Sequence, residues 1–304
     1  MKNKPYIIAG IPAYNEEKTI AKVVLLAKKH VDKVIVVDDG SEDMTGDIAK
    51  ELGAEVIKHP ENMGYGAALR TIFHKARQEN ADILITLDAD GQHDPREIPK
   101  LVKPLIEGEA DIVIGSRFLG KTDAKMYRLL GVKTITIATN LLMRVKITDA
   151  QSGYRAYNRK AIQVIRPTED GMGASVEILL QAVEHKLRIK EVPITIRYEG
   201  LETSSEHPIK HGAGVVGTLI TKTIGRRPLR YLGLPGIASI FAGLYFIYWL
   251  AQLYNQTRYF SLPMAIIALG FITTGIILLT SAVTIYLMRN LEKKIIAHEY
   301  TIIK

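Results

Sequence analysis

Four apolar runs in the first part of the chain each end in a cluster of polar residues. Tyr6–Pro12, Lys33–Val37, Ile83–Leu87 and Asp111–Ile114 are rich in β-branched residues and Leu, as strands buried on both faces are. Glu55–Ile57 reads as a shorter strand. Between these runs apolar residues recur at helical spacing, first at Ile20, Val23, Val24 and Ala27, with Asn15 upstream as a candidate helix N-cap. Met44–Leu52 and the stretch from the Asn62–Gly66 loop through Arg77 also read as helices, and Pro95 suits the first turn of another. Strands alternating with helices over short links predict an α/β domain with a mostly parallel sheet. Further on the pattern predicts a helix over Tyr127–Met143, a polar loop from Thr148 to Arg155, a segment Tyr157–Ile165, a helix Met172–His185 with Glu177 near its start, and a strand Arg188–Tyr198.

The pattern then changes. Tyr231–Tyr254 and Tyr259–Met288 contain no charged residue. A helix of 24 residues spans roughly 36 Å, enough for a hydrocarbon core of about 30 Å. Two such runs joined by Asn255-Gln256-Thr257-Arg258 predict a transmembrane hairpin, with spans near 231–254 and 260–288. Lys210, Lys222, Arg226, Arg227 and Arg230 precede it, and Arg289, Lys293 and Lys294 follow it. By the positive-inside rule both termini are expected in the cytoplasm of a multi-pass membrane protein. Tyr231, Tyr254, Tyr259 and Tyr286 suit the interfaces. Pro208–Ile224 mixes Ile, Val and Leu with Gly and Lys and reads as an amphipathic segment lying on the bilayer. The expected organisation is therefore a catalytic domain over 1–206, a basic juxtamembrane segment over 207–230, the hairpin over 231–288, and a short tail over 289–304.

Composition narrows the chemistry. The 304 residues carry a formal charge of +8 and no cysteine. Disulfides and thiolate metal sites are excluded. The positive balance suits an anionic partner. Much of it flanks the membrane spans and no nucleic-acid recognition motif is present, so nucleic acid is not the expected partner.

The polar clusters carry the candidate chemistry, because ligands of open α/β sheets bind beyond the carboxyl ends of the strands. Asp88 and Asp90 follow the third run. If strand geometry continued through Asp90, both carboxylates would point the same way, and their repulsion would favour a hard cation between them, Mg²⁺ or Mn²⁺. Asp-Ala-Asp-Gly is also ordinary turn chemistry. Asp38-Asp39 exceed what one turn needs, and the Asp39 carboxylate could accept from the N–H edge of a base. Arg117, at the end of the fourth run, suits a phosphate.

Taken together, Pro12-Ala13-Tyr14-Asn15-Glu16, Val37-Asp38-Asp39-Gly40-Ser41, Asn62–Gly66, Asp88-Ala89-Asp90-Gly91-Gln92, Gly115-Ser116-Arg117 and Asp149–Arg155 resemble family-2 glycosyltransferases, in the dolichyl-phosphate mannose synthase and polyprenyl-phosphate hexosyltransferase group. The resemblance covers residues 6 to about 200. It implies the GT-A nucleotide-sugar-binding fold, with Pro12, Tyr14, Glu16 and Asp39 around the nucleoside. It implies Mg²⁺ or Mn²⁺ on the diphosphate, held by Asp88, Asp90 and Gln92. Arg117 and Arg128 would grip the acceptor phosphate, with Arg197, Lys210 and His211 as a later basic cluster. Asp149, Gln151 and Ser152 would face the sugar. The implied reaction is inverting transfer of a hexose to dolichyl or polyprenyl phosphate: mannose from GDP-mannose first, glucose or N-acetylglucosamine from UDP-sugars next. A processive polysaccharide synthase would carry a Gln-x-x-Arg-Trp motif, but the only Trp is Trp249, inside a span. A non-catalytic membrane scaffold would not need Asp88, Asp90 and Arg117 intact.

Overall fold

The computed structural model describes residues 4–120, 133, 136, 137, 139, 140, 146–196 and 228–302, of which 289, 290 and 292–302 by helical backbone alone. Arg128, Arg197, Lys210 and His211, most of the expected Tyr127–Met143 helix and nearly all of the basic juxtamembrane segment lie outside the described residues. The chain divides into two units, Met1–Leu219 and Ile220–Lys304.

Among the described residues of the first unit seven strands form one sheet in the order β3-β2-β1-β4-β6-β5-β7. They are β1 (Ile7–Ala13), β2 (Lys33–Asp38), β3 (Glu55–Lys58), β4 (Ile83–Thr86), β5 (Ile112–Ser116), β6 (Arg155–Asn158) and β7 (Ile189–Pro193). β1 to β4 pair in parallel, as do β5 and β7, whereas β6 runs antiparallel between β4 and β5. The sheet is thus mostly parallel, as the alternation predicts. Sequence pattern did not separate β6 from the short helix Arg159–Val164 that follows it at once. Asn158 is the break point: its side chain accepts the Ala161 N–H and caps that helix.

Alternate residues of each strand serve opposite faces. Ile8, Ile35, Val37, Leu84, Ile112 and Ile114 pack under α3 (Tyr65–Gln78) and the helix Ala174–Glu184. Ile11, Val36, Ile85 and Val113 pack under α1 (Ile20–Ala27), α2 (Thr45–Glu51) and α4 (Ile98–Ile106). Both faces are covered, which is why the strands are apolar throughout rather than alternating.

Two expectations need correcting. Asn15 caps no helix, since α1 begins at Ile20. It takes a left-handed φ of 53°, its N–H donates to Ser41 Oγ, and its Oδ1 accepts the Glu42 N–H. It therefore ties the loop after β1 to the loop after β2. Strand geometry also does not reach Asp90: β4 ends at Thr86 and residues 89–90 form a turn. Asp88 and Asp90 are brought together by that turn, not by strand periodicity.

In the second unit the helix Leu234–Thr257 packs on the helix Leu262–Ile302. Over Leu229–Thr257 and Leu262–Met288 both are long and apolar enough to cross a membrane. Ser239 Oγ donates to the Phe271 carbonyl at 2.7 Å, and Phe246 stacks on Phe271 at 5.8 Å between ring centres. The second helix continues past Met288 through the stretch expected to be a tail.

Candidate active site

The chain leaves β1 for β2 on one side of the sheet and returns to β4 on the other. Such a switch of direction opens a crevice at the carboxyl ends of the two strands. Glu16 follows β1 and Asp88 and Asp90 follow β4, so three carboxylates meet at this crevice. Burial pushes Glu16 up to about 7, with the charges of Asp90 and Asp88 adding to it. Burial also pushes Asp90 up to about 6, and the Asp88 charge adds to that. Asp88 is raised by burial too, against the pull of Arg117 and Arg155. Crowded, desolvated carboxylates of this kind favour protons or a cation.

The detail of Asp88 bears on which. Among the described residues its Oδ1 is buried without a hydrogen-bond partner. Gly153 lies against the carboxylate, where an added Cβ would come within 2.6 Å of both oxygens and push the carboxylate aside. Asp90 Oδ1 accepts the Gln92 N–H at 2.9 Å, closing the turn. His93 is buried, with Nδ1 3.6 Å from Asp88 Oδ2; burial lowers its pKa to about 4, so the ring is neutral near pH 7. Among the described residues no group of three His, Cys, Asp or Glu side chains could hold a metal ion by itself. Two carboxylates with an unsatisfied oxygen suit Mg²⁺ or Mn²⁺, which take one or two protein carboxylates and complete their shell with phosphate and water.

Around this centre stand the other expected residues. Pro12 is buried in β1 and Tyr14 is exposed. Asp38 and Asp39 divide their work. Asp38 Oδ1 accepts the Ser41 N–H and shapes the turn. Asp39 is buried; its Oδ1 takes His59 Nδ1 and the Met63 N–H, and its Oδ2 the Gly64 N–H. Arg117 follows β5, with Nε 2.6 Å from Asp149 Oδ2. Asp149 and Ser152 are fully buried and Gln151 half-buried.

Three residues to which sequence reasoning gave no role hold this wall. Arg155 is fully buried; its Nε donates to Ser152 O, its Nη1 to Ser175 O and its Nη2 to Ala150 O. Glu191 on β7 accepts the N–H groups of Thr148 and Asp149. His59 supports Asp39. Glu177, which the helix pattern placed near a helix start, accepts from the Thr168 and Glu169 N–H groups and so fixes the preceding loop.

A family model described as "Glycosyl transferase family 2" matches residues 9–166, which include Glu16, Asp39, Asp88, Asp90 and Asp149. The chain belongs to glycosyl transferase family 2. Among its relatives is the UDP-N-acetylglucosamine–dolichyl-phosphate N-acetylglucosaminyltransferase of Methanococcus voltae, 36% identical over 68% of this chain and 89% of the relative. Another is glycosyltransferase AglJ of Haloferax volcanii, 30% identical over 93% of each chain. That match extends into the helical hairpin. The fold is that of glucosyl-3-phosphoglycerate synthase from Mycobacterium tuberculosis, solved with Mn²⁺, UDP and glucosyl-3-phosphoglycerate. The TM-score is 0.58 at 24% identity, over 73% of this chain and 81% of that one. The expected GT-A architecture and glycosyltransferase class therefore hold for this family-2 enzyme.

Proposed function

We propose that this glycosyltransferase moves a hexose or N-acetylhexosamine from a nucleoside diphosphate sugar to a dolichyl or polyprenyl phosphate at the membrane surface. The observation that carries the reading is the crowding of Glu16, Asp88 and Asp90 at the β1/β4 crevice, with Asp88 Oδ1 unsatisfied among the described residues. Asp88 and Asp90, with Gln92 beside them, would hold Mg²⁺ or Mn²⁺. Bound there, the cation supplies neutralisation of the leaving diphosphate.

The remaining work falls to the chain. Pro12, Tyr14, Glu16 and Asp39 flank the nucleoside. Arg117, fixed by Asp149, offsets the repulsion between an anionic acceptor and the donor diphosphate, and Arg128, Arg197 and Lys210 would extend that positive surface. An acceptor phosphate oxygen, already ionised near neutral pH, forms the bond to the anomeric carbon. The bond from that carbon to the diphosphate breaks, and its electron pair leaves with the diphosphate, so no strong general base is needed. Attack opposite the leaving group inverts the anomeric centre. Asp149, Gln151 and Ser152 line the sugar side of the loop held by Arg155. The two apolar helices keep the enzyme beside its lipid substrate, and the basic flanks of the hairpin favour cytoplasmic termini. The Methanococcus voltae relative, named for a dolichyl-phosphate acceptor, supports this reading.

The test is transfer itself. Purified enzyme, polyprenyl phosphate and Mn²⁺ are incubated with a panel of radiolabelled GDP- and UDP-sugars. Label should enter the organic phase with one donor class and should not do so for Asp90→Ala. Label remaining aqueous with every donor would refute the acceptor class.

A further inference from the structure

The hydrogen bonds of Asp39 are unequally shared between its two oxygens. Oδ1 faces His59 Nδ1 at 2.6 Å and the Met63 N–H at 3.1 Å, whereas Oδ2, among the described residues, accepts only the Gly64 N–H, at 2.8 Å. A carboxylate has no proton to give, so the imidazole is the donor. Each carboxylate oxygen accepts about two hydrogen bonds, which leaves Oδ1 filled and Oδ2 with one position. Only 4% of Asp39 is accessible, leaving little surface for a two-point contact.

The two candidate bases differ in what they ask of such a carboxylate. The pairing edge of guanine presents a ring N–H beside an amino N–H, a pair of donors that grips both oxygens of one carboxylate. Uracil presents a single ring N–H between two carbonyls. We infer that His59 is a specificity-determining residue, which fills one oxygen of Asp39 and so selects a uridine diphosphate sugar over a guanosine diphosphate sugar as donor. The inference rests on the reading that Asp39 meets the nucleobase. It departs from the sequence expectation that favoured GDP-mannose.

His59 is built to hold this role. It follows the carboxyl end of β3, and its N–H donates to the Asp38 carbonyl at 2.8 Å. Its Nε2 lies 2.9 Å from Thr71 Oγ1 on α3, so both ring nitrogens are engaged and the ring cannot turn away. With both nitrogens engaged, the imidazole has no free N–H to offer a base, and the open acceptor position is the one on Asp39 Oδ2.

The experiment is equilibrium binding of UDP and of GDP to the full-length protein in detergent with Mn²⁺. UDP should bind about tenfold tighter or better, the scale of one well-placed hydrogen bond against an unmatched donor. His59→Leu frees a position on Oδ1 and should shrink that ratio severalfold, while His59→Gln, which keeps an N–H donor, should restore part of it. A purely structural role for His59 would weaken both nucleotides alike and leave the ratio unchanged. GDP binding as tightly as UDP to the unaltered protein overturns the inference and leaves the proposed transfer standing. Binding of neither nucleotide overturns both. An unchanged ratio in a folded His59→Leu protein removes His59 from specificity, and if that variant does not fold, the native ratio and His59→Gln decide.

Discussion

Arg117 and Asp149 are joined twice through one oxygen: Asp149 Oδ2 accepts from Arg117 Nε at 2.6 Å and from the Arg117 backbone N–H at 3.2 Å. The Asp149 side chain is fully buried and that of Arg117 is 13% exposed. The carboxylate thus fixes both where the arginine sits and how its planar head is turned. Asp149→Asn keeps the shape and removes the charge. On the proposed mechanism it should lower transfer about 100-fold, the cost of misplacing a charge by an ångström, with the KM for lipid phosphate rising more than that for donor. Steady-state kinetics in both substrates checks this; equal effects on the two KM values would contradict it.

The carboxylate cluster predicts an unusual pH response. Glu16 titrates near 7 and Asp90 near 6, against ordinary carboxylate values near 4. A carboxylate raised in the folded state contributes stability that is fully present below its ordinary value and lost as pH rises through the folded one. The metal-free protein should therefore melt at a lower temperature at pH 8 than at pH 5.5. Excess Mn²⁺ should raise the melting temperature more at pH 8, because the cation competes with protons for the same oxygens. Glu16→Gln should flatten the metal-free slope. Thermal unfolding across this range, with and without Mn²⁺, measures all three. A metal response independent of pH would show that the cluster is not where the cation binds.

How far the site was legible from sequence depends on the distance over which each contact is made. Asp88 and Asp90 stand out because charge ends an apolar run abruptly, although the chain turns at once, with Gly91 at φ 73°, instead of running on as a strand. Arg155 could not be read this way. An arginine in a polar loop looks like a surface residue, and only the insertion of β6 between β4 and β5 buries it. Glu191 occupies a half-buried position in β7, and nothing local shows that its carboxylate reaches the Thr148–Asp149 turn. His59 is likewise silent until the Asn62–Gly64 loop folds back on Asp39. The fold followed from local periodicity; the supports of the site are set by long-range pairing.

Arg155 is a buried cation held by three carbonyls. Its fork fixes the loop that carries Asp149 and presents Gly153 to Asp88. Arg155→Lys keeps the charge, but a single ammonium cannot reach three divergent acceptors. The loss of charge-assisted hydrogen bonds should lower stability by about 2–4 kcal/mol and reduce Mn²⁺ affinity through the displaced loop. Thermal unfolding of the full-length protein and a Mn²⁺ titration test this. Native stability and native metal affinity together would mean that the loop holds its shape without the guanidinium.

The hairpin depends on a close approach that one position makes plain. A Cβ at Gly243 would lie 2.5 Å from Ile272 Cγ1 and 2.9 Å from the Ala268 carbonyl, whereas one at Gly270 would meet nothing within 4 Å among the described residues. In hydrocarbon there is little hydrophobic drive to bring helices together, so packing at small residues carries the association. Gly243→Leu should therefore separate the two helices, and Gly270→Leu should not. The chain has no cysteine of its own, so Phe246→Cys with Phe271→Cys, whose native rings stack at 5.8 Å, gives a clean reporter in membranes. A short bifunctional thiol reagent should link that pair in the parent and in Gly270→Leu, and should link it severalfold less in Gly243→Leu. Equal linking in all three would mean that the helices are held by the short connection at Arg258 and not by their facing surfaces.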